Sequence, residues 1–78
     1  MSVRVRLFAG LREAAGRAEL EVEADCVAKL REALAEACPP LAGRLRSCRV
    51  AVRDEFVGDD APVQDGATVD LIPPVSGG

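Results

Sequence analysis

The chain of 78 residues contains no histidine, tryptophan or tyrosine, and its only aromatic residues are two phenylalanines. Histidine is the commonest general base and a frequent metal ligand, so its absence argues against a hydrolase with its own active site and against a bound metal ion. Two phenylalanines provide no platform for stacked bases, and the ten basic residues are scattered through a chain of net charge −3. We therefore expect no binding of nucleic acid.

Cysteine is also scarce. Cys26, Cys38 and Cys48 lie twelve and ten residues apart, which fits neither a CxxC pair nor an iron–sulfur cluster. Free cysteines of this kind usually behave as small buried apolar side chains. The stretch MSVRVRLF alternates charged and apolar residues where a signal sequence would be continuously apolar, and no apolar run approaches the length of a membrane span. These features predict a cytoplasmic protein that does not bind membranes.

Hydrophobic residues make up 49% of the chain, and most of them are valine, leucine and alanine. A chain of this size buries only about 60% of its unfolded surface on folding. That leaves room for one core but not for a second domain or a deep substrate cavity. We expect one domain over residues 1–74, followed by a flexible C-terminal tail over residues 75–78.

Two stretches near the N-terminus show the alternation of strands with one buried face. In VRVRLF the apolar positions alternate with Arg4, Arg6 and Phe8, and in AELEVE they alternate with glutamates. We predict that the second strand pairs back on the first, with AGLREAAG forming one or two helical turns between them. The predicted inward residues are Val3, Val5, Leu7, Leu20 and Val22.

The apolar period changes from two to that of a helix at about residue 27 and keeps that spacing to about residue 38. Asp25 is the predicted N-cap, and Pro39 with Pro40 prevents continuation of the helix. This segment is the one long helix that the sequence predicts. Its predicted inward residues are Val27, Leu30, Leu34 and Ala37.

The second half of the chain predicts three more strands. The connector PPLAGRLRSC leads, with Leu41 and Leu45 beneath it, to the strand RVAVR, which has Val50 and Val52 on one face. A turn at DE then gives a brief strand FV. The turns DDAP and QDG precede a last strand ATVDLI, in which Val69 and Leu71 alternate with Asp70 and Ile72. This order predicts an α+β domain of the β-grasp (ubiquitin-like) type, a mixed sheet packed on one main helix, with the last strand parallel to the first at the centre.

The final stretch IPPVSGG combines a stiff exit with two residues that have no side chains. Pro73 and Pro74 favour an extended backbone, and four residues beyond Pro74 reach about 13 Å. Gly77 fits a channel too narrow for a β-carbon, and the Gly78 carboxylate is an anion that attacks an activated phosphate but is itself a poor electrophile. We expect a partner to activate this carboxylate.

Three stretches together carry a family resemblance: LFAGLREAAG after the first strand, the DG turn before the last, and PPVSGG. Residues 8–16 read Phe-Ala-x-x-Arg-Glu-x-x-Gly. The whole chain resembles the small subunit of molybdopterin synthase, a MoaD-type sulfur carrier of the ubiquitin-like superfamily. This resemblance extends from the first strand to the terminal Gly-Gly.

The resemblance implies a reaction cycle centred on Gly78. An ATP-dependent activating adenylyltransferase adenylates its carboxylate, and a sulfurtransferase provides the sulfur for a thiocarboxylate. The carrier then delivers sulfur to cyclic pyranopterin monophosphate in a heterotetramer with the molybdopterin synthase large subunit. The resemblance also implies that the isolated chain binds no cofactor and that the activating enzyme uses the ATP.

A docking surface is predicted beside the point where the tail leaves the domain. If the first and last strands are adjacent and parallel, Phe8 and Ile72 project on the face opposite the helix and form an apolar patch with Pro74 and Val75. The alternative is that the loop after the first strand folds over Phe8. The resemblance assigns the remaining tail residues to the same partner contact, namely Pro73 and Ser76.

Other functions use the same tail. A carrier for thiamin or cysteine synthesis would have the same chemistry and a different acceptor, and a ubiquitin-like modifier would be conjugated to lysines through Gly78. An interaction domain with an unused C-terminus is the remaining alternative. Arg12 and Glu13 are interpreted either as part of the family motif or as a solvated helical pair. The aspartates of the later turns are interpreted as turn formers.

Overall fold

The computed structural model describes residues 1–74, which contain five strands, two α-helices and two short 3-10 helices. The residues Val75, Ser76, Gly77 and Gly78 lie outside the described part. In chain order the elements are β1 (Ser2–Leu7), α1 (Ala9–Ala15), β2 (Glu19–Glu23), α2 (Val27–Ala37), 3-10 helices at Pro39–Leu41 and Leu45–Ser47, β3 (Arg49–Val52), β4 (Glu55–Val57) and β5 (Thr68–Ile72).

The five strands form one mixed sheet in the order β2-β1-β5-β3-β4. β1 and β5 are parallel, with Val5 opposite Val69, and the other three pairs are antiparallel. The last strand therefore lies at the centre of the sheet and beside the first, which confirms the predicted β-grasp topology. Parallel neighbours need a long crossover connection, and α2 with the segments around it supplies that connection.

The core lies between α2 and one face of the sheet. Val3, Val5 and Leu7 of β1 are buried, and the alternate residues of β2 and β5 join them, as the two-residue period predicts. From the helix side, Val27, Leu30 and Leu34 are fully enclosed, and Leu41 and Leu45 fill the space beneath the connector. The remaining buried apolar residues of the described chain include Leu11, Leu20, Val22, Cys38, Cys48, Val50, Val63, Val69 and Leu71.

Two details of α2 differ from the sequence prediction. Ala37 is exposed, and Cys38 takes the buried position. The helix ends at Ala37, and Cys38 adopts φ −140° and ψ 81°, so the helical period no longer sets the direction of its side chain. The N-cap is Cys26 and not Asp25, and no side chain caps the helix. The loop at Pro62 pairs with Cys26 and so sets the point at which the helix begins.

The hairpin between β3 and β4 turns one residue earlier than predicted. Val52 pairs with Glu55, and the two residues between them, Arg53 and Asp54, have φ values of 52° and 66°. Positive φ at both central positions matches the twist of a tight two-residue hairpin, and aspartate tolerates it better than most residues. This early turn leaves β4 only three residues long and determines which of them face outward.

Arg31 links α2 to two loops. Its Nε donates to Asp59 Oδ1 at 3.0 Å, and its guanidinium also donates to the carbonyl oxygen of Leu45. The Arg31 side chain is only 20% exposed. A charge-assisted pair with this degree of burial holds the connector and the loop before β5 in position against the helix.

Candidate functional site

The chain leaves the sheet at the C-terminal end of β5, next to the end of β1. Leu7 and Leu71 are paired and buried, and Phe8 and Ile72 follow them along the two parallel strands. Ile72 and Pro73 are half-buried, and Pro74 is exposed. The route toward Gly78 therefore begins from the central strand, whose position is determined by neighbours on both sides.

Phe8 lies on the sheet face opposite α2, here called the outer face. Its backbone is still extended, with φ −128° and ψ 153°, so the alternation of β1 continues and the Phe8 side chain projects from the same face as Arg6. The Arg6 guanidinium carbon lies 5.3 Å from the centre of the Phe8 ring. Phe8 is half-buried, and at Ala9 the backbone turns away with φ 50° to begin α1. The ring is thus partly shielded and keeps an exposed part beside the tail exit.

Phe56, the second phenylalanine, also lies on the outer face, which the sequence analysis did not identify. Ala51 pairs with Phe56 on one side and with Asp70 on the other, so these side chains share the outer face. Phe56 is 54% exposed, and among the described residues only Met1 is another large hydrophobic residue with comparable exposure. Phe56 alternates with Val57 in the sequence. In a strand of three residues this alternation does not show which side chain faces outward unless the pairing register is known.

Arg49 completes the group around the tail exit. It pairs with Ile72 across β3 and β5, and its guanidinium carbon lies 3.8 Å from the centre of the Phe56 ring. Phe8, Ile72, Phe56 and Arg49 are hereafter called the exit patch. It combines two aromatic rings and an aliphatic side chain with a cation, a composition that is common where proteins bind other proteins.

The charges on the outer face are arranged unevenly. Glu19, Glu21 and Glu23 project from the β2 edge, and Arg4 forms an ion pair with Glu19 at 3.7 Å. In the middle of the sheet, Arg6 forms an ion pair with Asp70 at 3.5 Å. Within residues 1–74, Arg49 makes neither an ion pair nor a side-chain hydrogen bond.

The other candidate groups do not assemble into a catalytic or metal site in the described residues. No group of three or more cysteine, aspartate and glutamate side chains in residues 1–74 is placed to hold a metal ion. Arg12 and Glu13 are both exposed and line a shallow surface groove on α1. In the same part of the chain, no helix is long and apolar enough to cross a membrane.

The cysteines are packing residues at two of their three positions. Cys38 and Cys48 are buried as predicted, whereas Cys26 is half-buried. Burial raises the pKa of the Cys48 thiol, although Arg31 and Arg44 act in the opposite direction. The thiol contacts the carbonyl oxygen of Arg44 at 3.1 Å. A thiol with a raised pKa is protonated at neutral pH, so Cys48 is a poor nucleophile.

Residues 5–78 match the model of the ThiS family. The molybdopterin synthase sulfur carrier subunit of Chlamydomonas reinhardtii is 36% identical over 83 aligned residues, with 100% of both chains covered. The crystal structure of SAMP1 from Haloferax volcanii superposes with a TM-score of 0.88 and 30% identity, and covers 100% of each chain. A complex of subunits 1 and 2 of molybdopterin-converting factor from Helicobacter pylori gives a TM-score of 0.72 at 28% identity, again over 100% of each chain.

Proposed function

Because the chain belongs to the ThiS family of ubiquitin-like sulfur carriers, we propose that it carries sulfur for the biosynthesis of the molybdenum cofactor. The observation that carries this proposal is the position of the tail exit, which lies at the end of the central strand β5 and beside the exit patch. The full-length similarity to a molybdopterin synthase sulfur carrier subunit supports the same cofactor pathway.

The proposed chemistry takes place at the Gly78 carboxylate. A carboxylate oxygen attacks the α-phosphorus of ATP on an activating adenylyltransferase, and pyrophosphate leaves. Sulfur at the oxidation level of sulfide, provided through a sulfurtransferase, then attacks the acyl carbon and displaces AMP to give a thiocarboxylate. Sulfur is the stronger nucleophile, and the covalent tether replaces free sulfide. The thiocarboxylate sulfur then bonds to a side-chain carbon of cyclic pyranopterin monophosphate in place of an oxygen substituent. Water cleaves the acyl–sulfur bond of the resulting thioester, which leaves the sulfur on the pterin and regenerates the Gly78 carboxylate.

The fold contributes rigidity at the start of the tail. Leu71 is fully buried and pairs with Leu7 of β1 and Val50 of β3, and Ile72 pairs with Arg49 of β3, so the sheet holds the exit point in position. Pro73 and Pro74 then limit the backbone to extended conformations, which lowers the entropy lost when the tail enters a channel. From Pro74, four residues place the reactive group up to about 13 Å from the domain.

We propose that the molybdopterin synthase large subunit is the docking partner and that it binds Phe8, Ile72, Pro73 and Pro74. The tail residues Val75, Ser76 and Gly77 then extend into the channel that leads to the active site of the large subunit. The Helicobacter pylori complex, in which subunit 1 is bound to subunit 2, supports a pairing of this kind. The expected assembly is a cytoplasmic heterotetramer with two copies of each subunit.

Reconstitution tests this function. The chain is combined with the activating enzyme, ATP, a sulfur source, the large subunit and cyclic pyranopterin monophosphate. We expect molybdopterin to form, and we expect intact-mass analysis to detect exchange of one oxygen for sulfur on the carrier. The matched control lacks Gly78 and should give neither product. If a thiocarboxylate formed without molybdopterin, the proposed acceptor would be excluded, but the proposed carrier chemistry at Gly78 would still be supported.

A protein modifier is the second candidate, because the small archaeal modifier protein SAMP1 has closely similar structure over its whole length. A modifier would form an isopeptide bond between Gly78 and lysines of other proteins. Carriers for thiamin or cysteine synthesis differ from the main proposal only in their acceptor. Immunoprecipitation from the native cell under denaturing conditions separates the modifier from the carriers, because only a modifier gives covalent adducts that are resistant to thiols.

A further inference from the structure

Arg49 and Phe56 form the closest arginine–aromatic contact in the described chain, at 3.8 Å from guanidinium carbon to ring centre. At this distance the flat face of the guanidinium lies against the ring. Stacking uses the face of the group and leaves its in-plane N–H donors free. Residues 1–74 provide no hydrogen-bond acceptor for these donors, so within this part of the chain Arg49 is held by stacking alone.

Arg6 provides a comparison within the same face. It also lies over an aromatic ring, that of Phe8, but at 5.3 Å, and it is neutralised by Asp70 at 3.5 Å. Arg49 has no such carboxylate in the described part of the chain. Of the two arginines that cover the phenylalanines, Arg49 is therefore the one whose charge no carboxylate of residues 1–74 compensates.

The rest of the outer face makes this charge distinctive. The chain has a net charge of −3, and the opposite edge of the sheet has a row of three glutamates on β2. Glu19 is paired with Arg4, and Glu23 is paired with the N-terminal amine. Among the described residues this leaves the unpaired Glu21 at the β2 edge and the unpaired Arg49 on the β3 side of the outer face. A partner surface of complementary charge docks in one orientation only, because rotation by half a turn would place like charges together.

We propose that Arg49 binds a carboxylate on the docking surface of the molybdopterin synthase large subunit, and that this carboxylate stands at the rim of an apolar recess that receives Phe56. The inference rests on the proposed function, and it identifies the chemistry of the partner surface. An arginine already held by stacking loses little conformational freedom when it forms a bidentate pair with a carboxylate. Arg49 acts as a specificity-determining residue that sets the docking orientation.

The test measures binding of the full chain to the large subunit from the same organism by calorimetry. We expect Arg49→Gln to weaken binding about tenfold, the size of effect that loss of a charge-assisted hydrogen bond produces. Arg49→Lys keeps the charge but loses the planar fork, so its affinity should fall between those of the other two proteins. Arg46→Gln is the matched control, because it removes the same charge from an exposed residue on the helix side. It should change the affinity less than twofold.

A salt series provides an independent readout. The affinity of the unmodified chain should decrease as sodium chloride rises from about 50 to 500 mM, and Arg49→Gln should reduce that dependence. Equal effects of Arg49→Gln and Arg46→Gln would overturn the proposal, as would a salt dependence that Arg49→Gln leaves unchanged. If the unmodified chain does not bind the large subunit at all, the proposed function itself fails, and this result is distinct from both of the others. Thermal melting of each variant confirms that it is folded.

Discussion

Arg49 of β3 and Ile72 of β5 occupy directly opposed positions, and this pairing connects the last residue of the central strand to the cation that stacks on Phe56. The tail exit and the exit patch therefore belong to one rigid part of the sheet. A partner that binds the patch consequently determines where the tail starts. Substitutions in the exit patch, in the core and in the tail should therefore have separate effects on docking, on stability and on the chemistry of Gly78.

Phe8→Asp should weaken binding to the large subunit and leave the isolated domain folded. The substitution places a charge among the apolar side chains of the exit patch, next to Ile72, where docking would bury it without a partner. Calorimetry with the large subunit measures the effect. Ala28→Asp is the control, since it adds the same charge at an exposed position on α2. An unchanged affinity for Phe8→Asp would exclude Phe8 from the docking surface.

Leu30→Ala should destabilise the domain without affecting its chemistry. Leu30 is fully buried beneath the sheet, and its truncation leaves a cavity that costs about 2–5 kcal/mol. Urea denaturation measures the loss. At a temperature where the variant is folded, the activating enzyme should still adenylate it. Loss of adenylation in the folded variant would mean that the helix contacts the activating enzyme.

The contacts of Arg31 with two loops should contribute more to the free energy of unfolding than a surface ion pair does. Arg31→Ala removes the bonds to Asp59 and to the Leu45 carbonyl at a half-buried site, and we expect a loss of about 1–3 kcal/mol in the free energy of unfolding. Lys29→Ala is the matched control on the same helix. Lys29 is exposed and forms an ion pair with Glu32 at 3.6 Å, so its loss should cost less than about 0.5 kcal/mol. Similar losses in both variants would show that the Arg31 contacts do not stabilise the fold.

Alkaline pH should destabilise the domain through Cys48. Burial raises the pKa of this thiol in the folded state above its value in the unfolded chain, which is about 8.5. Below the pKa of the unfolded state the thiol is protonated in both states and does not affect the free energy of unfolding. Between the two values the unfolded chain ionises and the folded chain does not, so stability decreases as pH rises. Cys48→Ala should lessen this decrease in urea titrations between about pH 8 and 10.

The alternation of Val3, Val5 and Leu7, and the helical spacing of Leu30 and Leu34, were sufficient to predict the main elements of the fold. These patterns work because burial on one face of a long element repeats with the backbone period. The position of Ile72 beside Phe8 also follows from topology, since adjacent parallel strands end at the same edge.

The errors occurred where a neighbouring segment, and not the local period, determines the structure. The loop at Pro62 pairs with Cys26 and sets the start of α2, whereas Asp25 was the expected cap. At the other end, Cys38 leaves the helical conformation, so Ala37 is exposed. The outward position of Phe56 depends on the early turn between β3 and β4, which the local pattern of three residues does not reveal.

The most direct test of the central claim is the intact mass of the carrier after incubation with the activating enzyme, ATP and the sulfur source. The proteins compared are the unmodified chain, Gly77→Val and a chain with one glycine added after Gly78. The added residue moves the reactive carboxylate by about 3.3 Å and converts that of Gly78 into an amide. The β-branched valine obstructs a channel fitted to glycine. We predict that only the unmodified chain gains the mass of an oxygen-to-sulfur exchange, although all three melt at the same temperature. A thiocarboxylate on the extended chain, without prior trimming, would contradict the account.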